Sequence, residues 1–153
     1  MARINKVAHI VLNVRDPQVS ADWYRDVLGM EQIAFNSDAK MAFLSFGQQH
    51  HDIALIKARE DAVHGDLGLN HVALQIDGGE EQLKALYGHI LSHNAIISRT
   101  TDHGVTTSIY FFDPDGNQLE IFCERMTGDQ GKAYLKKSKG SAKPVDLKPI
   151  ATM

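Results

Sequence analysis

The chain holds a single cysteine, Cys123, so it can close no internal disulfide. It also lacks any apolar run approaching the roughly 18 residues that a membrane-spanning helix needs. Its N-terminus carries Arg3 and Lys6 and then alternates apolar with polar residues, without the continuous core of a signal peptide. A soluble, reducing, cytoplasmic setting is therefore expected. Positive charge is scarce outside the last segment: net charge is −3, yet from Thr127 onward six Lys stand against two Asp, so that stretch carries +4 and residues 1–126 carry −7. An acidic body argues against a nucleic-acid surface. The Lys run at 136, 137 and 139 reads as solvated, and neither nucleic acid nor membrane is an expected partner.

A length of 153 residues with 43% hydrophobic content suits one core. The reading is one domain over 1–126, followed by an irregular tail over 127–153 that is rich in Lys, Gly, Ser and Pro. Val7 to Val14 alternates as a strand, and Asp16-Pro17 opens a helix in which Val19, Trp23, Val27 and Leu28 recur at helical spacing before Gly29 caps it. Short strands follow near 30–36, 40–47 and 51–57. The second half repeats that order, with a strand at Leu69 to Ile76, a helix across Glu80 to Ser92 built on Leu83, Leu86, Ile90 and Leu91, and further strands. The fold class is thus α+β: two βαβββ modules, about 4–58 and 68–124, joined near 58–68. His9-Ile-Val-Leu-Asn-Val aligns with His71-Val-Ala-Leu-Gln-Ile, and His51-Asp-Ile-Ala-Leu-Ile aligns with Asn117-Gln-Leu-Glu-Ile-Phe. A pseudo-twofold relation between the modules would form a metal-holding cleft.

Alternation puts His9, Val11 and Asn13 on one strand face, and His71, Ala73 and Gln75 on the equivalent face 62 residues later. The third candidate ligand is Glu120, inside Leu119-Glu-Ile-Phe, where an ionised carboxylate needs a compensating partner. Two imidazoles and a carboxylate suit Fe(II), Mn(II) or Zn(II). The residue equivalent to Glu120 in the first module is Ala54, which cannot bind a metal. Three protein ligands leave coordination positions for exogenous molecules. His64, His89 and His93 match nothing and are read as surface residues. Cys123, in the apolar run from Leu119, is expected to be buried and inert, and Asp113-Pro-Asp-Gly-Asn is a tight turn that delivers Glu120.

His9, the run Trp23-Tyr-Arg-Asp-Val-Leu-Gly-Met30, His71 and Asp113-Pro-Asp-Gly-Asn-Gln-Leu-Glu120 together resemble the vicinal-oxygen-chelate superfamily, over about residues 4–124. Three further features resemble its type I extradiol catechol dioxygenases in single-domain form: His51-Asp-Ile-Ala-Leu, His103-Gly, and Ile109-Tyr-Phe-Phe-Asp-Pro-Asp-Gly-Asn. The resemblance implies Fe(II)-dependent ring cleavage of a catechol-type diol with O2, in aromatic catabolism. It implies His51 as acid/base, Tyr110 as a residue orienting or protonating oxygens, His103 as a hydrogen-bond partner of the substrate, and a homodimer. The spacing from His103 to Tyr110 is shorter than in the two-domain enzymes. His51 must lie in a turn or bulge to reach the cleft, with His50 as the alternative, because His51 and Ala54 point oppositely along a regular strand. Two other readings are kept: a metal-dependent lyase or epimerase, and a small-molecule binding or resistance protein without chemistry.

Overall fold

The computed structural model describes residues 6–65 and 68–151. Arg3 and the expected start of the first module at residue 4 lie outside them. The chain divides into two units, Met1–Asp66 and Leu67–Met153, each with its own sheet.

In the first unit, strand β1 (Ile10–Val14) leads into helix α1 (Pro17–Leu28), followed by β2 (Glu31–Asn36), β3 (Met41–Ser45) and β4 (Ile53–Lys57). The sheet order is β1-β4-β3-β2, with β1 parallel to β4 and the other pairs antiparallel. Helix α1 starts where the Asp16 carboxylate accepts the backbone N–H groups of Gln18 and Val19, with Pro17 supplying a helical φ. It ends at Gly29, whose φ of 70° closes the last turn. The helix packs on β2, β3 and β4, but through Pro17, Ser20, Ala21, Tyr24 and Val27 rather than the Val19-Trp23 stripe. Val19 is 60% exposed. The sheet needs small residues and one large aromatic at close approach, and hydropathy alone does not register that. On β1 the alternation is as expected, with Leu12 and Val14 buried and Val11 and Asn13 exposed.

In the second unit, β5 (Val72–Gln75), α2 (Glu80–Ser92), β6 (Ile96–Asp102), β7 (Thr106–Phe112) and β8 (Gln118–Glu124) repeat the βαβββ order, with β5 parallel to β8. Helix α2 lies against β8 and buries Leu83 and Ile90; each such side chain contributes about 1.5–3 kcal/mol on burial. The turn between β7 and β8 is tied by Asp113, whose carboxylate accepts the amides of Asp115 and Asn117 and the Asn117 side chain. Cys123 is buried.

The expected irregular tail is structured. Helix α3 (Gly128–Ser138) and a short strand β9 (Lys143–Pro144) follow β8, and β9 extends the sheet to the order β5-β8-β7-β6-β9. Three contacts hold this segment: Tyr134 packs on Gly104, Thr100 and Val145 exchange hydrogen bonds, and the Ile150 N–H donates to Lys84 O as the chain crosses α2 at Gly88. Each partner lies far away in sequence, so composition alone reads the segment as coil. No helix among the described residues is long and apolar enough to cross a membrane.

Candidate functional site

The candidate residues form two clusters, one in each unit. In the second unit the strand registers place Ala73 beside Glu120, Glu120 beside Tyr110, and Tyr110 beside Arg99. These four residues form one row across four strands. Glu120 is 6% exposed. His71 sits immediately before β5 and sets its Nε2 2.9 Å from Glu120 Oε2. Its Nδ1 lies 2.8 Å from the Asn70 side-chain oxygen, which can only accept, so Nδ1 carries the hydrogen.

With Nδ1 donating to Asn70, Nε2 faces a carboxylate oxygen at hydrogen-bond distance. That separation needs a proton or a metal ion between the two groups. The donor set, the low exposure of Glu120 and the outer bond that His71 Nδ1 donates to Asn70 all fit a divalent metal. Among the described residues, no group of three or more His, Cys, Asp and Glu is gathered at metal-holding distance. The second unit supplies two of the three expected ligands as a formed pair.

Tyr110 adjoins this pair. Its ring centroid is 5.4 Å from that of His71, and its hydroxyl is 2.9 Å from His103 Nε2. Burial, and then the charge of Glu120, push the Tyr110 phenol up to about 12 despite the opposing guanidinium of Arg99. The hydroxyl is therefore a neutral donor at physiological pH. His103 occupies the turn between β6 and β7 and is half-buried against Tyr110 rather than a free loop residue. The shorter spacing between the two residues does not prevent them from meeting.

Arg99 carried no signal in the sequence. Its guanidinium carbon lies 3.7 Å from the Tyr110 ring centroid. A β-bulge puts it there: the register shifts between Ile97 and Arg99, so Ser98 is skipped and Arg99 falls opposite Tyr110.

In the first unit His9, just before β1, stacks on His51 with ring centroids 4.4 Å apart. His51 lies in the bend that precedes β4, outside the strand, so strict alternation does not govern it. Its ring also stands edge-on to Phe43 at 5.4 Å. His50 is exposed and shares a short 2.6 Å Nδ1···Nδ1 approach with His51, whereas His51 is the one packed on His9. Burial, then the neighbouring His9 and His50, lower the His51 pKa, and it stays neutral at physiological pH.

The bend is held by a polar web that sequence reading missed. Asp52 accepts the Phe46 amide and the Gln49 side chain, Ser45 donates to Gln49 O, and Gln49 reaches Ala8 O beside His9. Burial alone would raise the Asp52 carboxyl, but these donors outweigh it and hold it below the usual range. The only hint in the sequence was a cluster of polar residues between two apolar strands.

Residues 6–121 match the family model described as the Glyoxalase/Bleomycin resistance protein/Dioxygenase superfamily. The chain is 31% identical over 151 residues to biphenyl-2,3-diol 1,2-dioxygenase 2 of Rhodococcus globerulus, an alignment covering 96% of this chain and 78% of that protein. It is 31% identical over 121 residues to metapyrocatechase of Pseudomonas sp. strain CF600, covering 75% of this chain but only 38% of the relative's length. Among solved structures, the fosfomycin resistance protein FosX of Listeria monocytogenes superposes with a TM-score of 0.68 at 21% identity, covering 88% of this chain and 99% of that one. At that identity the likeness concerns the fold.

Proposed function

Because the chain belongs to the Glyoxalase/Bleomycin resistance protein/Dioxygenase superfamily, we propose that it is an extradiol dioxygenase, which opens the ring of a catechol-type diol beside its two hydroxyls and places both atoms of O2 in the product. The observation that carries this reading is the His71–Glu120 pair at 2.9 Å with the neutral Tyr110 hydroxyl beside it. His71, Glu120 and His9 would hold Fe(II), with Mn(II), Zn(II) or Ni(II) as alternatives. A divalent iron held there supplies Lewis acidity toward the diol oxygens and a route for electrons from ring to O2.

The chain's own groups do the rest. His51, neutral through its lowered pKa, accepts a proton from the diol as the bound hydroxyl ionises, and returns it as the ring opens. Tyr110 donates its hydroxyl hydrogen to substrate oxygen, and His103, bonded to that hydroxyl, fixes its direction. The likeness to a biphenyl-diol dioxygenase at 31% identity supports the reaction class. Ala54, where a fourth ligand would stand by internal symmetry, supports open coordination for both diol and O2.

The test is to load the protein with Fe(II) anaerobically, add catechol and then admit oxygen. A yellow ring-fission product formed with one equivalent of O2 consumed is the expected result. Conversion of substrate that proceeds equally well without oxygen would sink ring cleavage and indicate a metal-dependent lyase or isomerase.

A further inference from the structure

Arg99 is exposed, makes no ion pair among the described residues, and holds its guanidinium over the Tyr110 ring with one donor toward the Tyr110 hydroxyl. The bulge at Ser98 aims Arg99 along the same row as Tyr110 and Glu120. The first unit shows that the scaffold does not ask for arginine there. Its β2 carries the same irregularity, between Gln32 and Ala34, and places Ala34 opposite Phe43. The bulge therefore exists in both repeats, while only the second repeat hangs a guanidinium on it. A cation parked on the face of an aromatic ring is oriented yet keeps in-plane N–H donors for another partner.

From this geometry we propose that Arg99 is a specificity-determining residue that receives a carboxylate carried by the substrate ring, so the preferred diol is an anionic catechol. The proposal rests on the diol reading above. Arg99 and Glu120 lie on the strands either side of Tyr110, and both side chains reach its hydroxyl. An aromatic ring whose two oxygens sit toward Glu120 would carry a short acid chain on its other side along Tyr110 to the guanidinium. A guanidinium pairs with a carboxylate through two parallel N–H donors, which Tyr110 stacking would keep presented.

The test compares catechol, 3,4-dihydroxyphenylacetate and the amine analogue 4-(2-aminoethyl)catechol in wild type, Arg99→Lys, Arg99→Met and Arg99→Glu. In wild type, kcat/KM for the carboxylate is expected to exceed that for the amine by tenfold or more. Arg99→Met should collapse this ratio by about 10- to 100-fold, the worth of a charged hydrogen bond, through KM rather than kcat. Arg99→Lys should restore part of it, and Arg99→Glu should reverse it. Anaerobic calorimetry of the same three diols with Fe(II)-loaded protein measures the preference without turnover. If ring cleavage fails but the carboxylate still binds more tightly than the amine in an Arg99-dependent way, the inference stands and the dioxygenase reading falls. Equal binding of the three diols by wild type, or parallel losses for all three in Arg99→Met, would overturn it.

Discussion

The two βαβββ units place four residues in the same row of their sheets, and the residue types differ sharply. In the first unit the row is Ala34, Phe43, Ala54, Val11; in the second it is Arg99, Tyr110, Glu120, Ala73. Strand order, parallel pair and bulge position are the same. The backbone is thus indifferent to what the row carries, and the first unit is the apolar version of a surface that the second has made polar. Each row has a histidine edge-on to its aromatic member at 5.4 Å, His51 against Phe43 and His71 against Tyr110. His71 faces a carboxylate at 2.9 Å, whereas His51 packs on the imidazoles of His9 and His50. That difference separates what the sheet needs from what it does not: where the same register holds Ala or Phe in the first unit, Glu, Tyr and Arg are not required by the sheet.

The largest way to break the contrast is to make the second row resemble the first. Glu120→Gln should lower iron affinity by at least about 100-fold, beyond the usual cost of losing an outer partner, as read by metal content after dialysis. The converse change, Ala54→Glu, puts a carboxylate at a position only 2% exposed. Metal-free, this variant should lose several kcal/mol of stability to the unpaired charge. A melting temperature that recovers when Fe(II) is added would show the new carboxylate reaching the ion, and oxygen-dependent turnover should fall as an open position closes.

Tyr110→Phe equates the aromatic members of the two rows. We expect kcat to drop about 100-fold, the low end of what a positioned proton donor contributes, in steady-state assays. It also has a signature in pH. The Tyr110 pKa is raised from 10.0 to about 12, so between those values the unfolded chain releases a proton that the folded chain keeps. Stability of the metal-free protein should therefore fall as pH climbs from 10 toward 12. Denaturant titrations of Tyr110→Phe should lack that part of the fall.

Smaller effects separate the structural additions of each unit. An alanine Cβ at Gly88 would lie 1.8 Å from Ile150 O, so Gly88→Ala should expel the C-terminal strap and cost about 1–3 kcal/mol. Faster hydrogen exchange is expected at β9 and α2, with the first unit unaffected. In the first unit, Asp16→Ala removes the α1 cap and should cost about 1 kcal/mol. Helix α2 starts differently, with Gln82 accepting the Gly79 amide, so its thermal behaviour should not follow that change.

Much of this organisation was legible beforehand because it rests on short-range periodicity. Leu83, Leu86, Ile90 and Leu91 at helical spacing bounded α2 at Glu80–Ser92, as observed, although Leu91 itself is exposed. The 62-residue echo of His9 in His71 carried the repeat, and the registers Val11↔Ala54 and Ala73↔Glu120 make Ala54 the counterpart of Glu120. Strand ends were read too long, since Val7 and Leu69 precede the hydrogen-bonded ladders that begin at Ile10 and Val72; alternation continues past the point where a partner strand stops.

By itself, then, the sequence determined the two modules, the family pattern and the candidates His9, His71, Glu120, His51, Tyr110 and His103, because patterning and motif spacing are local properties of a chain. Only the tertiary structure decided that His71 Nε2 faces Glu120 at 2.9 Å, that His51 rather than His50 packs on His9, and that residues after 126 form α3 and β9. It alone brought Arg99 onto Tyr110. Those outcomes depend on a skipped residue at a bulge, on a web of donors around Asp52, and on contacts such as Tyr134 with Gly104, whose partners are distant along the chain and meet only once the sheets have formed.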